Sequence, residues 1–355
     1  MQDRKKIVFF VTGLVGGAER VTVTIAKLLD RERFEVKLAV LDYEDCPLSM
    51  FIPKDIDIIY LNCHRLRDNS LGRMYKLLKN ERPDYAFASI TFVCMELLFI
   101  CTYLLKGPKP IIRGQINPTA WKKHEIAAIL AKWLYPKAYK VIAQTPLMRE
   151  LMITEWKLKD GQCIQLYNPI DKKRIDEGIK DISPYTESNQ YKYVATGRCQ
   201  PQKGFDLLII AMKKVVEYNQ NSHLYIVGRK DESEYAILLD NLCKEYGLTN
   251  NVHFVGFQTN PYKFIYNADC FVLSSRDEGL PNVLIESTYL QKQAIAYKCI
   301  PVIKDIIQDG ENGLCVNPED IDGLSAAMIK IQSLDLNKPS RYRPASDGEF
   351  NRIFS

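Results

Sequence analysis

The sequence predicts an α/β protein made of two doubly wound, parallel-sheet domains. Three observations predict it. Short apolar runs alternate with helix-length amphipathic segments through the first half of the chain. A polar, charged stretch at 171–190 interrupts that alternation, and a second alternating set starts at Tyr193. The 355 residues suffice for two domains of ordinary size, and contents of 46% apolar and 26% charged residues are globular values.

In the first half the strand candidates are 6–11, 35–41, 56–61, 84–89, 110–113 and 139–143, with amphipathic segments such as 71–80 and 126–134 between them. Tyr167-Asn168-Pro169 ends the set. In the second half the strands are 193–196, 223–227, 252–255, 270–274, 293–297 and 314–316. The boundaries expected are a first domain at 1–170, a linker at 171–190 and a second domain at 191–340. The short polar tail at 341–355 is a candidate to return to the first domain. Ligands bind such sheets outside the carboxyl ends of the strands. Turns that follow strands in both halves would then line one central cleft.

Three such turns carry chemistry. Cys270-Phe271-Val272-Leu273 reads as a buried strand, and Glu278-Gly279-Leu280-Pro281-Asn282-Val283-Leu284-Ile285-Glu286 follows it. Pro281 suits the start of a helix, where its missing N–H costs nothing. Free N–H groups and the positive helix end favour an anion, and the two flanking carboxylates can accept bonds from hydroxyls on either side of it. An anion flanked by polyols describes a nucleotide sugar. On spacing alone, two surface glutamates are the commoner explanation. The second turn is Gly13-Leu14-Val15-Gly16-Gly17-Ala18-Glu19, between an apolar run and Val21, Ile25, Leu28 and Leu29 at helical spacing. It lets backbone approach a phosphate or sugar, though it is not the G-x-G-x-x-G dinucleotide fingerprint. The third is Gly197-Arg198-Cys199-Gln200-Pro201-Gln202-Lys203-Gly204 after the strand at 193–196. Arg198 with its planar fork and Lys203 as a point charge could clamp a diphosphate; a solvated pair is the plainer reading.

This ordered set resembles the retaining glycosyltransferases of family 4, in particular those that build bacterial surface polysaccharides. The matching pieces are Gly16-Gly17-Ala18-Glu19, Tyr167-Asn168-Pro169-Ile170-Asp171, Gly197-Arg198 with Lys203-Gly204, Ile226-Val227-Gly228, 252–256, Glu278-x7-Glu286 and the 306–314 segment. The resemblance spans roughly residues 5–330. It implies the GT-B architecture, two Rossmann-like domains facing a central cleft, with a last helix that often returns to the first domain. It also implies transfer of a sugar from a nucleoside diphosphate with retention at the anomeric carbon.

The resemblance gives roles to matched positions. Glu286 would bind the ribose hydroxyls and Glu278 the donor sugar. Backbone from Gly279, Leu280, Pro281, Asn282 and Val283 would face phosphate or sugar oxygens. Arg198 and Lys203 would neutralise the departing diphosphate, while Gly16, Gly17 and Gly197 would let backbone approach the donor. The turn around Gly256 and Phe257 would recognise the base. Arg113-Gly114-Gln115-Ile116-Asn117-Pro118 is similar to an Arg-x-x-x-Asn-Pro loop of polysaccharide-making members, so Arg113 and Asn117, with Glu19, are the acceptor-side candidates. Two departures bear on the choice of sugar. Arg229 stands where a second glycine is usual, and Lys298-Cys299-Ile300-Pro301 lacks the usual small-residue turn. No cofactor and no metal is expected: Asp55-Ile56-Asp57 matches D-x-D but lies in an Ile-rich strand entry, and two cations with a helix end make a metal unnecessary.

Charge and cysteines add context. Residues 1–180 hold 30 Lys+Arg against 21 Asp+Glu, and 181–355 hold 18 against 22. The excess is concentrated at 101–150, with 9 basic and 2 acidic residues. Basic and aromatic residues mixed on an amphipathic helix suit an anionic membrane surface. Nucleic acid competes and is not the expected partner. A core helix with a solvated basic face is the bland alternative. No apolar run reaches transmembrane length, and the N-terminus does not read as a signal peptide. The ten cysteines include no C-x-x-C pair, which suits reduced thiols in a cytoplasm. His64, His124, His223 and His253 are far apart in sequence, so no zinc site is expected.

The expectation is therefore a hexosyltransferase that moves a hexose or N-acetylhexosamine from a UDP-sugar to a glycan on a lipid carrier, at the inner face of the cell membrane. A non-catalytic GT-B scaffold, a nucleotide-sugar epimerase and a phosphorylase on the same fold are the alternatives. The last would need a lysine placed for pyridoxal phosphate, which no motif suggests.

Overall fold

The computed structural model describes residues 4–14, 16–42, 49–63, 69–114, 126–336 and 338–355. The chain divides into two units, Met1–Ile170 with Pro344–Ser355, and Asp171–Arg343.

The first unit runs β1 (Lys5–Val11), α1 (Gly17–Leu28), β2 (Phe34–Val40), β3 (Asp57–Tyr60), α2 (Ser70–Glu81), β4 (Tyr85–Ala88), α3 (Thr91–Phe99), β5 (Lys109–Arg113), α4 (Ile126–Leu134), β6 (Lys140–Ala143), α5 (Pro146–Trp156) and β7 (Cys163–Gln165). All seven strands are parallel, in the order β3-β2-β1-β4-β5-β6-β7. Ile7–Val11 are buried without alternation, because helices cover both faces of such a sheet. β7 escaped the sequence reading. Its three residues are too few for a periodic signal, and pairing with β6 is what makes it a strand.

The second unit runs α6 (Lys172–Gly178), β8 (Tyr191–Thr196), α7 (Phe205–Tyr218), β9 (Ser222–Val227), α8 (Glu234–Glu245), β10 (Val252–Gly256), α9 (Tyr262–Asn267), β11 (Cys270–Leu273), α10 (Asn282–Tyr289), β12 (Ala294–Tyr297), α11 (Ile303–Ile306), β13 (Gly313–Val316) and α12 (Ile321–Ile331). Its six strands are also parallel, in the order β10-β9-β8-β11-β12-β13. In each sheet the winding reverses between two neighbours, β1 and β4 in the first and β8 and β11 in the second. The loops leaving those strands part there and open a crevice.

The stretch read as a linker is folded. α6 lies in it, with Asp171 capping the Arg174 N–H and Ile175 its one buried residue. A single buried position leaves no apolar period for a sequence reading to find. The rest is tied to the second unit: the Tyr185 hydroxyl donates to the Phe264 carbonyl at 2.9 Å, and the Asn260 amide donates to the Asp181 carboxylate at 2.8 Å.

From Pro344 onward the tail belongs to the first unit. A capping box between Ser346 and Glu349 opens α13 (Asp347–Ile353). Phe354 then enters the core between Phe9 and Tyr85, with ring centroids 5.9 and 5.7 Å away. Three fully buried aromatic rings in contact explain why so short a polar segment docks at all.

Candidate functional site

The crevice between β8 and β11 is built by two loops tied together. Gly204 is the N-cap of α7 at φ +62°, and a Cβ there would lie 2.1 Å from the Ser274 carbonyl oxygen. The Ser274 hydroxyl donates to the Lys203 carbonyl at 2.9 Å, and the Arg276 N–H donates to the Gln202 carbonyl at 2.8 Å. Across this seam the Lys203 ammonium meets Glu278 Oε1 at 2.6 Å. The Ser275 hydroxyl donates to the same oxygen at 2.7 Å. Glu278 Oε2 makes no hydrogen bond among the described residues. One carboxylate oxygen is thus fixed by two donors and the other is available. Gly197 packs its Cα side against the Lys203 stem, where a Cβ would lie 3.1 Å from Cε. Arg198, on the same loop, is exposed and makes no ion pair among the described residues. Its field helps hold the Asp231 carboxyl below its ordinary range, after the larger effect of hydrogen bonds from Ser233.

The E-x7-E stretch forms the turn and helix expected of it. Leu280 is buried, Pro281 is the N-cap of α10, and Asn282 and Val283 are its first residues. The leading N–H groups of a helix have no intrahelical acceptor, which makes that end a donor cluster. Glu286 lies inside α10 at 6% exposure and accepts from the Tyr262 hydroxyl at 3.3 Å. Tyr262 opens α9, directly after the loop that carries Gly256 and Phe257. Gly256 sits at φ +78° where β10 slips in register, and Phe257 projects as an exposed ring. The loops after β8, β9 and β10 are stacked: the Gly197 N–H donates to Val227 and the Gly228 N–H to Gly256. A Cβ on Gly228 would lie 1.8 Å from the Gly197 carbonyl oxygen, so that position admits only glycine. Cys299, after β12, borders the same crevice. Burial pushes its thiol up to about 12, and the nearby Glu278 and Asp277 carboxylates add to that.

In the first unit, Gly16 is the N-cap of α1 and Gly17 its first residue. Glu19 bends back over this turn. Its Oε1 accepts from the Thr12 hydroxyl at 2.7 Å, and its Oε2 occupies the space beside Gly16 where a Cβ would be 2.3 Å away. A carboxylate of the chain itself therefore sits where the glycine turn was expected to admit a ligand oxygen. Arg113 is 3% exposed and donates to the Asn168 side-chain carbonyl. Asn168 donates to Gln144, and Gln144 donates to the Gly114 carbonyl at 2.6 Å. Arg113 thus joins the loops after β5, β6 and β7 from inside, rather than standing at the surface as an acceptor contact would. Asn117 and His124 lie outside the described residues. Asp55 and Asp57 are occupied by Arg31 and Lys37.

Comparison with known proteins is decisive for the family. Residues 179–347 match the family described as glycosyl transferases group 1, and residues 15–174 match glycosyltransferase family 4. The chain belongs to the glycosyltransferases. It is 29% identical over 245 residues to an uncharacterised glycosyltransferase of Methanocaldococcus jannaschii, covering 64% of this chain and 60% of that one. It is 26% identical over 330 residues to the N-acetylgalactosamine-N,N'-diacetylbacillosaminyl-diphospho-undecaprenol 4-alpha-N-acetylgalactosaminyltransferase of Campylobacter jejuni, covering 88% and 86%. The structure of Anabaena HepE in complex with UDP and glucose superposes with a TM-score of 0.77 at 18% identity, covering 99% and 98%. That likeness gives this glycosyltransferase the GT-B fold.

Some residues of this candidate site carry no sequence signal. Arg276 grips Asp206 through two nitrogens at 2.8 and 2.7 Å and also donates to the Pro201 carbonyl. The Tyr235 hydroxyl donates to Asp206 at 2.6 Å. Burial acts to raise the Asp206 carboxyl, and the bonds from Arg276 and Tyr235 outweigh it and hold it below its ordinary range. This brace locks the Lys203 loop to the Glu278 loop. Arg276 and Asp206 are 70 positions apart, so only the fold pairs them. Two of the four histidines, far apart in sequence, come together in the fold. His223 and His253, on β9 and β10, meet at 3.0 Å with stacked rings, although no third ligand joins them among the described residues.

Proposed function

We propose that this glycosyltransferase transfers a hexose or N-acetylhexosamine from a UDP-sugar, with retention at the anomeric carbon, to a glycan carried on a lipid in surface-polysaccharide assembly. The observation that carries the reading is Glu278 at the switch-point crevice: Oε1 is held by Lys203 and Ser275 while Oε2 is left to accept a sugar hydroxyl. The N-terminus of α10, three residues on, suits the diphosphate. The activity named for the Campylobacter relative, a sugar transfer to a diphospho-undecaprenol glycan, supports the acceptor class. The UDP and glucose in the Anabaena complex support the donor class.

The roles follow from chemistry. Glu286, beside the Tyr262 hydroxyl, accepts bonds from the ribose, and Phe257 offers a face to the base. Negative charge grows on the diphosphate as the glycosidic bond breaks. Arg198, exposed and without an ion pair among the described residues, and Lys203, already fixed by Glu278, meet that charge. Donors held in place before the reaction stabilise the transition state more than the ground state. Glu19, held by Thr12 beside Gly16, is the first unit's candidate for an acceptor hydroxyl, and Arg113 is a positioning residue for the loops after β5, β6 and β7. No cofactor or metal enters this scheme.

The test is to incubate the protein with single UDP-sugars and lipid-linked acceptors, then assign the product's anomeric configuration by NMR. Transfer from one UDP-sugar with the donor's configuration kept supports the reading. Inversion, or transfer only from a GDP- or ADP-sugar, contradicts it.

A further inference from the structure

We propose that the outward face of α4, with the adjoining end of the segment after α3, docks on an anionic lipid bilayer. On α4, Ile126, Ile129, Leu130 and Trp133 are all exposed, at 77%, 56%, 41% and 49%. They fall at i, i+3, i+4 and i+7, the spacing of a single helical stripe. A surface helix normally turns that stripe into the core. Here only Ala131 and Leu134 are buried, so the stripe faces out. Tyr103 and Leu104 extend it: both are exposed, and the Tyr103 ring stacks on Trp133 with centroids 5.4 Å apart. Six large apolar side chains from two segments thus form one exposed patch, beyond what scattered surface apolars explain.

The charges near the patch select the partner. Lys106, Lys132 and Lys137 are exposed on the same segments. Residues 101–150 carry 9 basic and 2 acidic residues in all. Lysines with long apolar stems can lie along a bilayer boundary while their ammonium groups reach anionic headgroups. Trp and Tyr prefer that same boundary, where one end is apolar and the other wet. No helix among the described residues is long and apolar enough to cross a membrane, so this contact is one that lies on the surface. It deepens the lipid-linked-acceptor reading, because it would hold the enzyme where such acceptors sit, but its test needs neither donor nor acceptor.

The experiment is flotation of the full chain with vesicles of phosphatidylcholine alone and of phosphatidylcholine with phosphatidylglycerol. The wild type should float with the anionic vesicles, and Ile129→Glu with Leu130→Glu should reduce its partition by roughly tenfold or more. Lys132→Glu with Lys137→Glu should weaken it less and flatten its salt dependence. Unchanged melting temperature and UDP-induced stabilisation in the variants would show intact folding and an intact second unit. A wild type that stays off anionic vesicles, or a glutamate pair that floats like the wild type, overturns the proposal. So does a wild type that dimerises through this patch, with the glutamate pair monomeric and no vesicle binding by either. Absence of sugar transfer by a protein that floats would count against the proposed reaction and leave the docking surface standing.

Discussion

Replacing either partner of the Lys203–Glu278 pair should have unequal effects. The pair is close, at 2.6 Å, but unevenly buried: the Lys203 side chain is 22% exposed and Glu278 is 9% exposed. Exposed ion pairs contribute about 0–1 kcal/mol, whereas removing one member of a buried pair costs about 3–5 kcal/mol because the other charge is stranded. Lys203→Met strands Glu278, whose Oε1 keeps only the Ser275 hydroxyl, so a loss of about 1–3 kcal/mol is expected, between those limits. Glu278→Gln strands a lysine whose flexible stem can swing into water, so about 1 kcal/mol or less is expected. The double variant leaves neither charge stranded and should be more stable than Lys203→Met alone. Urea denaturation at neutral pH, followed on the second unit's transition, measures all three. Transfer should fall by roughly 10²–10³ in each single variant, the usual effect of losing one preorganised group. A Glu278→Gln variant less stable than Lys203→Met, or a double variant less stable than both, would refute the reasoning.

Three further outcomes are expected. Asp206→Asn weakens the two-pronged grip of Arg276 without touching the crevice wall, so donor KM should rise about tenfold with kcat changed less, a split that steady-state kinetics resolves. Phe354→Ala empties a fully buried ring site in the first unit and should cost about 3–5 kcal/mol in denaturation, with UDP-induced stabilisation of the second unit retained. The third concerns pH. Burial lowers the pKa of both His223 and His253. The unfolded chain, with histidines near the ordinary value of about 6.5, therefore takes up protons first as pH falls. The stability of the second unit should be full above that value and decline as pH drops below it, and His253→Gln should make the decline shallower in melts run between pH 7 and 5.

The strands were legible where five or so consecutive residues are buried, as in Ile7–Val11, because a parallel sheet covered on both faces leaves an unbroken apolar run. β7 and α6 were not: three residues in one, and one buried side chain in the other, carry no period. The turns after β8 and β11 announce themselves by composition, so the positions of Arg198, Lys203 and Glu278 could be read. What could not be read is contact between distant segments. The bond from Lys203 to Glu278 spans 75 positions, and the Arg276–Asp206 brace spans 70. Arg113 looks like a surface cation in sequence, and only the fold buries it against Asn168. In α4 the periodicity gave an apolar stripe but not its direction, which depends on which neighbours the helix meets.

A diphosphate site at Lys203 is tested most directly by binding of UDP, without added metal, to the wild type and to Lys203→Met, read as thermal stabilisation. A ligand that binds only the folded state stabilises it by mass action, by about 2.7 kcal/mol at one hundred times its dissociation constant. A clear UDP shift is expected in the wild type, a larger one with a single UDP-sugar, and a much smaller one in the variant at equal concentrations. Equal shifts in both proteins, or none in the wild type, would contradict a diphosphate site built on Lys203 and the N-terminus of α10.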